Sequence, residues 1–173
     1  MKINLKKIIL YSKILKAGQR VLFSGTIYTA RDVAHERIVS ILADSGKLPF
    51  DLNGSAIYYC GPTPAKPGEI IGACGPTTSS RMDIFTPKLL KEGVKVLIGK
   101  GNRSNDVVDS VKNNGAIYFV ATGGVGALIS KTVQKADLIA FKDLGPEAIY
   151  KLEVKDMSLI VAIDSHGNNI FKK

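Results

Sequence analysis

An α/β fold is predicted for this chain from three observations. From Val94 onward, segments rich in β-branched residues alternate with segments of helical spacing, the signature of βαβ units and a parallel sheet layer. A chain of 173 residues can bury roughly two-thirds of its unfolded surface in one globular unit, so residues 1–173 are expected to form a single domain. Apolar residues at 45% and charged residues at 23% match ordinary globular usage, so no long disordered tract is expected.

The N-terminal stretch MKINLKKIILYSKIL suits a first strand or a short helix. Its basic start resembles a signal peptide, but Ser12 and Lys13 break the apolar run and no small-residue cleavage site follows, so it reads as mature sequence. Arg20 to Tyr28, RVLFSGTIY, has the β-branched and aromatic content of a strand. Asp32 is placed to cap a helix over 33–45, where Val33, Arg37, Ile38, Ile41 and Leu42 recur at helical spacing before Gly46. The turn formers Pro49, Asp51, Asn53 and Gly54 lead into a strand at Ala56 to Cys60, and GPTPAKPG, Gly61 to Gly68, follows as a stiff connector. Ile70 to Cys74 reads as a short apolar strand ending at Gly75, and the hydroxyls Thr77 to Ser80 then precede a helix from Met82. The alternation continues as strand Val94 to Gly99, helix Asn105 to Asn114, strand Ala116 to Ala121, helix Gly124 to Val133 and strand Ala136 to Phe141. Two more strands are expected near Lys151 to Val154 and Leu159 to Asp164, with Ser165 to Asn169 as a turn.

The net charge of +9 invites a nucleic-acid partner. The lysines are dispersed, however, and no basic stretch is interleaved with aromatics, so no nucleic-acid partner is expected and the basic surface suits anionic substrates or an acidic partner. No run approaches the roughly 20 apolar residues that cross a bilayer, so no membrane partner is expected and the location is expected to be cytoplasmic. Cys60 and Cys74 are too few for a disulfide scaffold or for an iron–sulfur cluster, which takes three or four thiolates, and are expected as buried free thiols. His35 and His166 are distant in sequence, and no metal ligand is assigned to this chain. GKGNRS at Gly99 to Ser104 lacks the phosphate-loop spacing and TGGVGA at Thr122 to Ala127 lacks GxGxxG, which argues against nucleotide binding.

Three glycine-bearing junctions follow predicted strands, at Gly75, at Gly99 with Gly101, and at Gly123 with Gly124; such turns present N–H groups to anions. Around them stand Arg31, Thr77, Thr78, Ser79, Arg81, Lys100 and Arg103, side chains suited to a small carboxylate because an arginine fork binds one bidentately. The competing reading makes the hydroxyls turn and cap residues and the cations solvated charges or intersubunit ion pairs.

GPTTSSRMD at Gly75 to Asp83, with TARDVAH at Thr29 to His35, DLNG at Asp51 to Gly54 and GPTPAKPG, resembles the beta subunit of class I fumarase and of tartrate dehydratase. The resemblance continues in order through IGKGNRS, Tyr118 to Leu128, DLGPEAIYKLEV and IDSHGNN, and so covers nearly the whole chain. It implies a swivelling β/β/α domain and a hydro-lyase that adds or removes water across the double bond of a small dicarboxylate with an oxygen-sensitive 4Fe-4S cluster. In that family the cluster cysteines belong to the larger alpha part. This chain is therefore expected to hold no cofactor itself and to act only with a cluster-bearing alpha subunit.

By motif, Thr77 resembles the hydroxyl near the reacting carbon, a candidate proton-transfer residue. Arg81, Arg31 and Lys100 resemble substrate-carboxylate ligands, and His35 an active-site histidine that relays a proton or orients Arg31. An unperturbed threonine hydroxyl is a very poor base, so Thr77 needs activation by a neighbour or by the partner. The expected reaction is reversible hydration of fumarate to (S)-malate. Dehydration of L(+)-tartrate to oxaloacetate is the main alternative within the class and hydration of a methylated analogue a further one, with a non-catalytic anion- or nucleic-acid-binding module the alternative outside it. Without its partner, the chain is expected to form a homodimer through the surface left uncovered.

Overall fold

A computed structural model describes residues 1–121 and 126–172. The N-terminal stretch supplies both expected forms, β1 (Lys2–Asn4) and, after a 3-10 turn, α1 (Ile8–Ser12). There follow β2 (Arg20–Thr29), α2 (Asp32–Ala43), β3 (Ala56–Tyr58), a 3-10 turn over Ser79–Met82, and α3 (Thr86–Lys91). The chain continues as β4 (Val96–Gly99), α4 (Asn105–Asn113), β5 (Ile117–Val120), α5 (Gly126–Ser130), β6 (Val133–Ala140), a 3-10 run over Lys142–Glu147, and β7 (Ile149–Ile163).

The strands form one sheet in the order β1-β2-β3-β4-β5-β7-β6, and β7 also pairs with β2. The ring β2-β3-β4-β5-β7 therefore closes on itself. A single strand can do this because β7 is 15 residues long. Its residues 151–160 pair with β2 along one edge, while the other edge serves β6 over 149–154 and β5 over 160–163. The expected parallel layer is present in β1 to β5, whose pairings with one another are all parallel; β7 runs antiparallel to β2, β5 and β6.

The period-2 alternation of the strands sorts their side chains into two cores. One draws Phe23, Tyr58, Val96, Ile98, Ile117, Phe119, Met157 and Leu159 from all five strands of the ring. The other packs Ile57, Leu97 and Tyr118 against Ala34 and Ile38 of α2, Leu89 and Leu90 of α3, and Val107 and Val111 of α4. Burial on both faces is why β3, β4 and β5 read as continuous apolar runs. No helix among the described residues is long and apolar enough to cross a membrane.

Several expected boundaries are corrected. The two C-terminal strands are one strand: Asp156 takes a left-handed φ of 54°, the register shifts opposite Phe23 and Gly25, and the Asp156 N–H donates to Ser24 Oγ at 2.9 Å, so the ladder bulges there instead of ending. Ile70 to Cys74 forms no strand; its end is pinned to Thr63, whose N–H donates to the Ala73 carbonyl and whose hydroxyl accepts the Ala73 N–H. The helix expected to run to Val133 stops at Ser130, and the β-branched Val133 opens β6 as a buried residue. The start of that predicted helix, Gly124 and Val125, lies outside the described residues. Asp32 is the first residue of α2 and caps nothing; the Val33 N–H is instead taken by the Glu147 carboxylate at 3.0 Å. The buried face of α2 is Ala34, His35 and Ile38, with Val33 exposed. The helix expected from Met82 begins four residues later, at Thr86, after the 3-10 turn.

Candidate functional site at the strand ends

Because β2, β3 and β4 run parallel, their carboxyl ends lie on one side of the sheet, where ligands of α/β sheets characteristically bind. Arg31 follows β2, Tyr59 to Gly61 follow β3, and Lys100 follows β4. The segment from Pro76 to Ser79 is laid across these ends by backbone hydrogen bonds. Cys60 bridges Pro76, the Thr77 N–H donates to the Tyr59 carbonyl at 2.7 Å, and the Ser79 N–H donates to the Lys100 carbonyl at 3.0 Å. In return Ser79 Oγ accepts the Lys100 N–H at 3.0 Å. A glycine is required at position 99, because Ser79 Oγ occupies the space of any Cβ there. Main-chain bonding thus brings Thr77 and Lys100 together. Thr77 is half-buried and Lys100 exposed.

Arg31 and Arg81 meet at Asp32. Arg81 donates through Nε to Asp32 Oδ1 at 2.8 Å and through Nη2 to Oδ2 at 2.6 Å, a bidentate fork. Arg31 Nη2 stands 3.7 Å from Asp32 and 3.5 Å from Glu147, and its buried Nε has no hydrogen-bond partner among the described residues. Gly61 makes room for it: a Cβ there would meet the Pro146 carbonyl at 2.8 Å and Arg31 Cδ at 3.0 Å. Burial pushes the Asp32 carboxyl up, but the hydrogen bond and charge of Arg81, its own backbone and the charge of Arg31 outweigh it and hold it below the usual range. The patch therefore presents two guanidinium groups and one ammonium against two carboxylates.

His35 lies beneath this patch, 1% exposed. Its Nδ1–H donates to the Arg31 carbonyl at 2.8 Å, and its ring packs 5.4 Å from that of Tyr59 and 6.0 Å from that of Phe85. Desolvation, aided by the positive charge of Arg103, lowers its pKa to about 4. It is neutral at physiological pH. With a pKa lowered on folding, the unfolded chain binds the extra proton, so this contribution is complete above the unfolded value of about 6.5 and is lost as pH falls toward 4. Between pH 7.5 and 5 the loss is about 2 kcal/mol. Urea unfolding at the two pH values should show that loss in the native chain and a smaller one in His35→Gln.

Arg103 is not part of the exposed patch. Its side chain is 0% exposed and is paired to Asp83 at 2.6 Å. The expectation that it suits a substrate carboxylate is thus corrected: it already holds the half-buried carboxylate of Asp83. Thr78 is exposed and bridges Lys100, while Ser79 is buried and structural. Two residues of the patch were not singled out from the sequence, Glu147 and the paired role of Asp32. The acidic residue inside DLGPEAIYKLEV was the available signal for Glu147, but its approach to Arg31 joins positions 116 residues apart in the chain. Gly123 and Gly124 lie outside the described residues.

Cys60 and Cys74 are buried free thiols, as expected. No group of three or more His, Cys, Asp or Glu side chains that could hold a metal occurs among the described residues. An iron–sulfur cluster takes three or four thiolates, and the two cysteines of this chain do not supply them.

Residues 1–173 match the family described as Fumarase C-terminus. The chain is 41% identical over 167 residues to a putative L(+)-tartrate dehydratase subunit beta of Methanocaldococcus jannaschii, an overlap of 93% of this chain and 86% of the relative. It is 36% identical over 158 residues to fumarate hydratase 2 of Leishmania major, covering 90% of this chain and 28% of that protein. It is 32% identical over 171 residues to the aerobic class I fumarate hydratase of Escherichia coli, covering 98% of this chain and 31% of that protein. The chain thus spans under a third of the length of these two fumarate hydratases.

Proposed function

The chain belongs to the fumarase C-terminus family, and on that premise we propose that it is the beta half of a two-part hydro-lyase that hydrates fumarate reversibly to (S)-malate. The observation that carries this reading is the gathering of Arg31, Arg81, Lys100 and Thr77 on one face at the strand ends, while the thiolates for a 4Fe-4S cluster are lacking. The cluster is assigned to an alpha subunit partner that covers this face. Residues 1–173 act as one domain of the swivelling β/β/α kind, a reading supported by the closed ring of strands and its flanking helices.

In this reading Arg31, Arg81 and Lys100 take the carboxylates of a small dicarboxylate substrate. Asp32, already seated in the Arg81 fork, has the geometry that a substrate carboxylate would share or replace. Thr77, held by its backbone bond to Tyr59, moves the proton, with its hydroxyl activated by groups the partner brings. His35, buried and neutral, orients Arg31 through the Arg31 carbonyl; of the two roles open to it, this is the one its hydrogen bond supports.

L(+)-tartrate is the second substrate reading, favoured by the 41% identity to the tartrate dehydratase subunit. Assembly with a cluster-bearing partner under anaerobic conditions, followed by kcat/KM for fumarate, (S)-malate and L(+)-tartrate, separates the two. In the same assay Arg81→Ala is expected to lower kcat/KM for the preferred substrate by about 100-fold, and Arg81→Lys by less, because it keeps the charge and loses the fork. Wild-type kcat/KM in Arg81→Ala would reduce this chain to a regulatory or assembly subunit.

A further inference from the structure

Among the cations of GPTTSSRM and IGKGNRS, Arg103 alone is buried, and of its hydrogen-bond partners Tyr59 and Asp83 belong to segments that carry the site. Its Nε donates to Asp83 Oδ1 at 2.6 Å, Nη2 to Thr86 Oγ1 at 2.7 Å and Nη1 to Tyr59 Oη at 3.3 Å. Its guanidinium lies 5.1 Å from the ring centroid of Tyr59 and 4.9 Å from that of Tyr118. The second oxygen of Asp83 accepts the Ser104 N–H at 2.7 Å. Tyr118 Oη stands 2.8 Å from the Gly101 carbonyl and 3.0 Å from Ser79 Oγ.

Four of these groups lead to the site in one step. Tyr59 carries the carbonyl that receives the Thr77 N–H. Ser79 carries the oxygen that receives the Lys100 N–H. Asp83 closes the segment bearing Thr77 and Arg81, and Ser104 closes the loop bearing Lys100. A buried charge persists only where its hydrogen bonds are met, and a planar fork meets them in one geometry. We propose that Arg103 is a positioning residue which, by clamping Asp83, Tyr59 and Tyr118 together, fixes the separation of Thr77 from Lys100 and binds no substrate itself. The catalytic consequence rests on the hydro-lyase reading; the clamping does not.

The test uses Arg103→Lys, which keeps the charge and loses the fork, and Tyr118→Phe, which keeps the ion pair and loses the link to Ser79 and Gly101. In the isolated full chain, amide hydrogen exchange at Thr77, Ser79 and Lys100 is expected to speed up by about tenfold or more, with the amides of β4 and β5 little changed. In the enzyme assembled with its cluster-bearing partner, kcat per active site is expected to fall by about 10- to 100-fold with a several-fold rise in KM, the larger effect in Arg103→Lys. A residue that only stabilised the fold would lower the number of active sites and leave both constants of the surviving enzyme unchanged. Unchanged exchange at the three amides in both variants, or wild-type kcat and KM per assembled site in both, overturns the proposal. A wild-type enzyme inactive on every dicarboxylate would sink the hydro-lyase reading, while the exchange measurement would still decide the clamp.

Discussion

Replacing Thr77 by alanine is expected to lower turnover of the assembled enzyme by about 10²- to 10⁴-fold, the range over which a positioned proton-transfer group acts. The substitution should leave the fold intact. Thr77 is half-buried and belongs to neither hydrophobic core, and its place is set by its backbone N–H, which donates to the Tyr59 carbonyl at 2.7 Å whatever the side chain. Serine at the same position keeps the hydroxyl and should recover much of the rate. Steady-state turnover with an active-site count checks both. Undiminished turnover in Thr77→Ala would remove Thr77 from the chemistry and leave its hydroxyl a feature of the turn.

Asp83→Ala is expected to act on stability instead, by about 3–5 kcal/mol, because it leaves the Arg103 guanidinium buried without its counter-charge. The arginine side chain is 0% exposed and Asp83 13% exposed, so water cannot take over the pairing. The same substitution also frees the Ser104 N–H, which donates to Asp83 Oδ2 at 2.7 Å. Urea unfolding of the isolated chain measures the loss. The double variant Asp83→Leu with Arg103→Met, which removes both charges, should be more stable than Asp83→Ala, since an uncompensated charge costs more than an absent pair. A loss in Asp83→Ala no larger than that of an ordinary surface substitution, within about 0.5 kcal/mol, would show that the pair is solvated in the native state.

The parts of the fold that were legible in the sequence are those whose cause is local. Arg20 to Tyr28 and Ala56 to Cys60 announce strands through β-branched and aromatic content, and Asn105 to Asn114 announces a helix whose N-cap, Ser104, accepts the Val107 N–H. Failures cluster where a distant element decides. The strands expected near Lys151 to Val154 and Leu159 to Asp164 are one, because β2 runs alongside and Ser24 accepts the Asp156 N–H between them. Ile70 to Cys74 has the composition of a strand, but bonds to Thr63 hold its end outside the ladder. Closure of the ring depends on one strand serving partners 40 to 140 residues away in the chain, which periodicity does not encode.

The site shows the same division. Thr77, Arg81, Arg31 and Lys100 could be named from their motifs, and the structure gathers them at the ends of β2, β3 and β4. The sequence could not distinguish exposed from buried arginines. Arg103, two residues after Gly101, is as basic and as close to glycine as Lys100, yet it faces inward between Tyr59 and Tyr118. Only packing separates an exposed cation at the strand ends from one that holds the scaffold. Asp32 was read as a helix cap for the same reason: its true partner, Arg81, lies 49 residues away.

The central claim is that this chain supplies a complete set of carboxylate-binding and proton-transfer groups but not the metal chemistry they serve. Anaerobic mixing of the purified chain with a separately purified, cluster-loaded alpha subunit, followed by the rate of (S)-malate or oxaloacetate formation from fumarate or L(+)-tartrate, tests it most directly. The account predicts no turnover by this chain alone, turnover on mixing that saturates at equimolar chains, and loss of that turnover when Thr77→Ala or Arg81→Ala is substituted. Full turnover by the alpha subunit without this chain, or turnover on mixing that neither substitution alters, would contradict it.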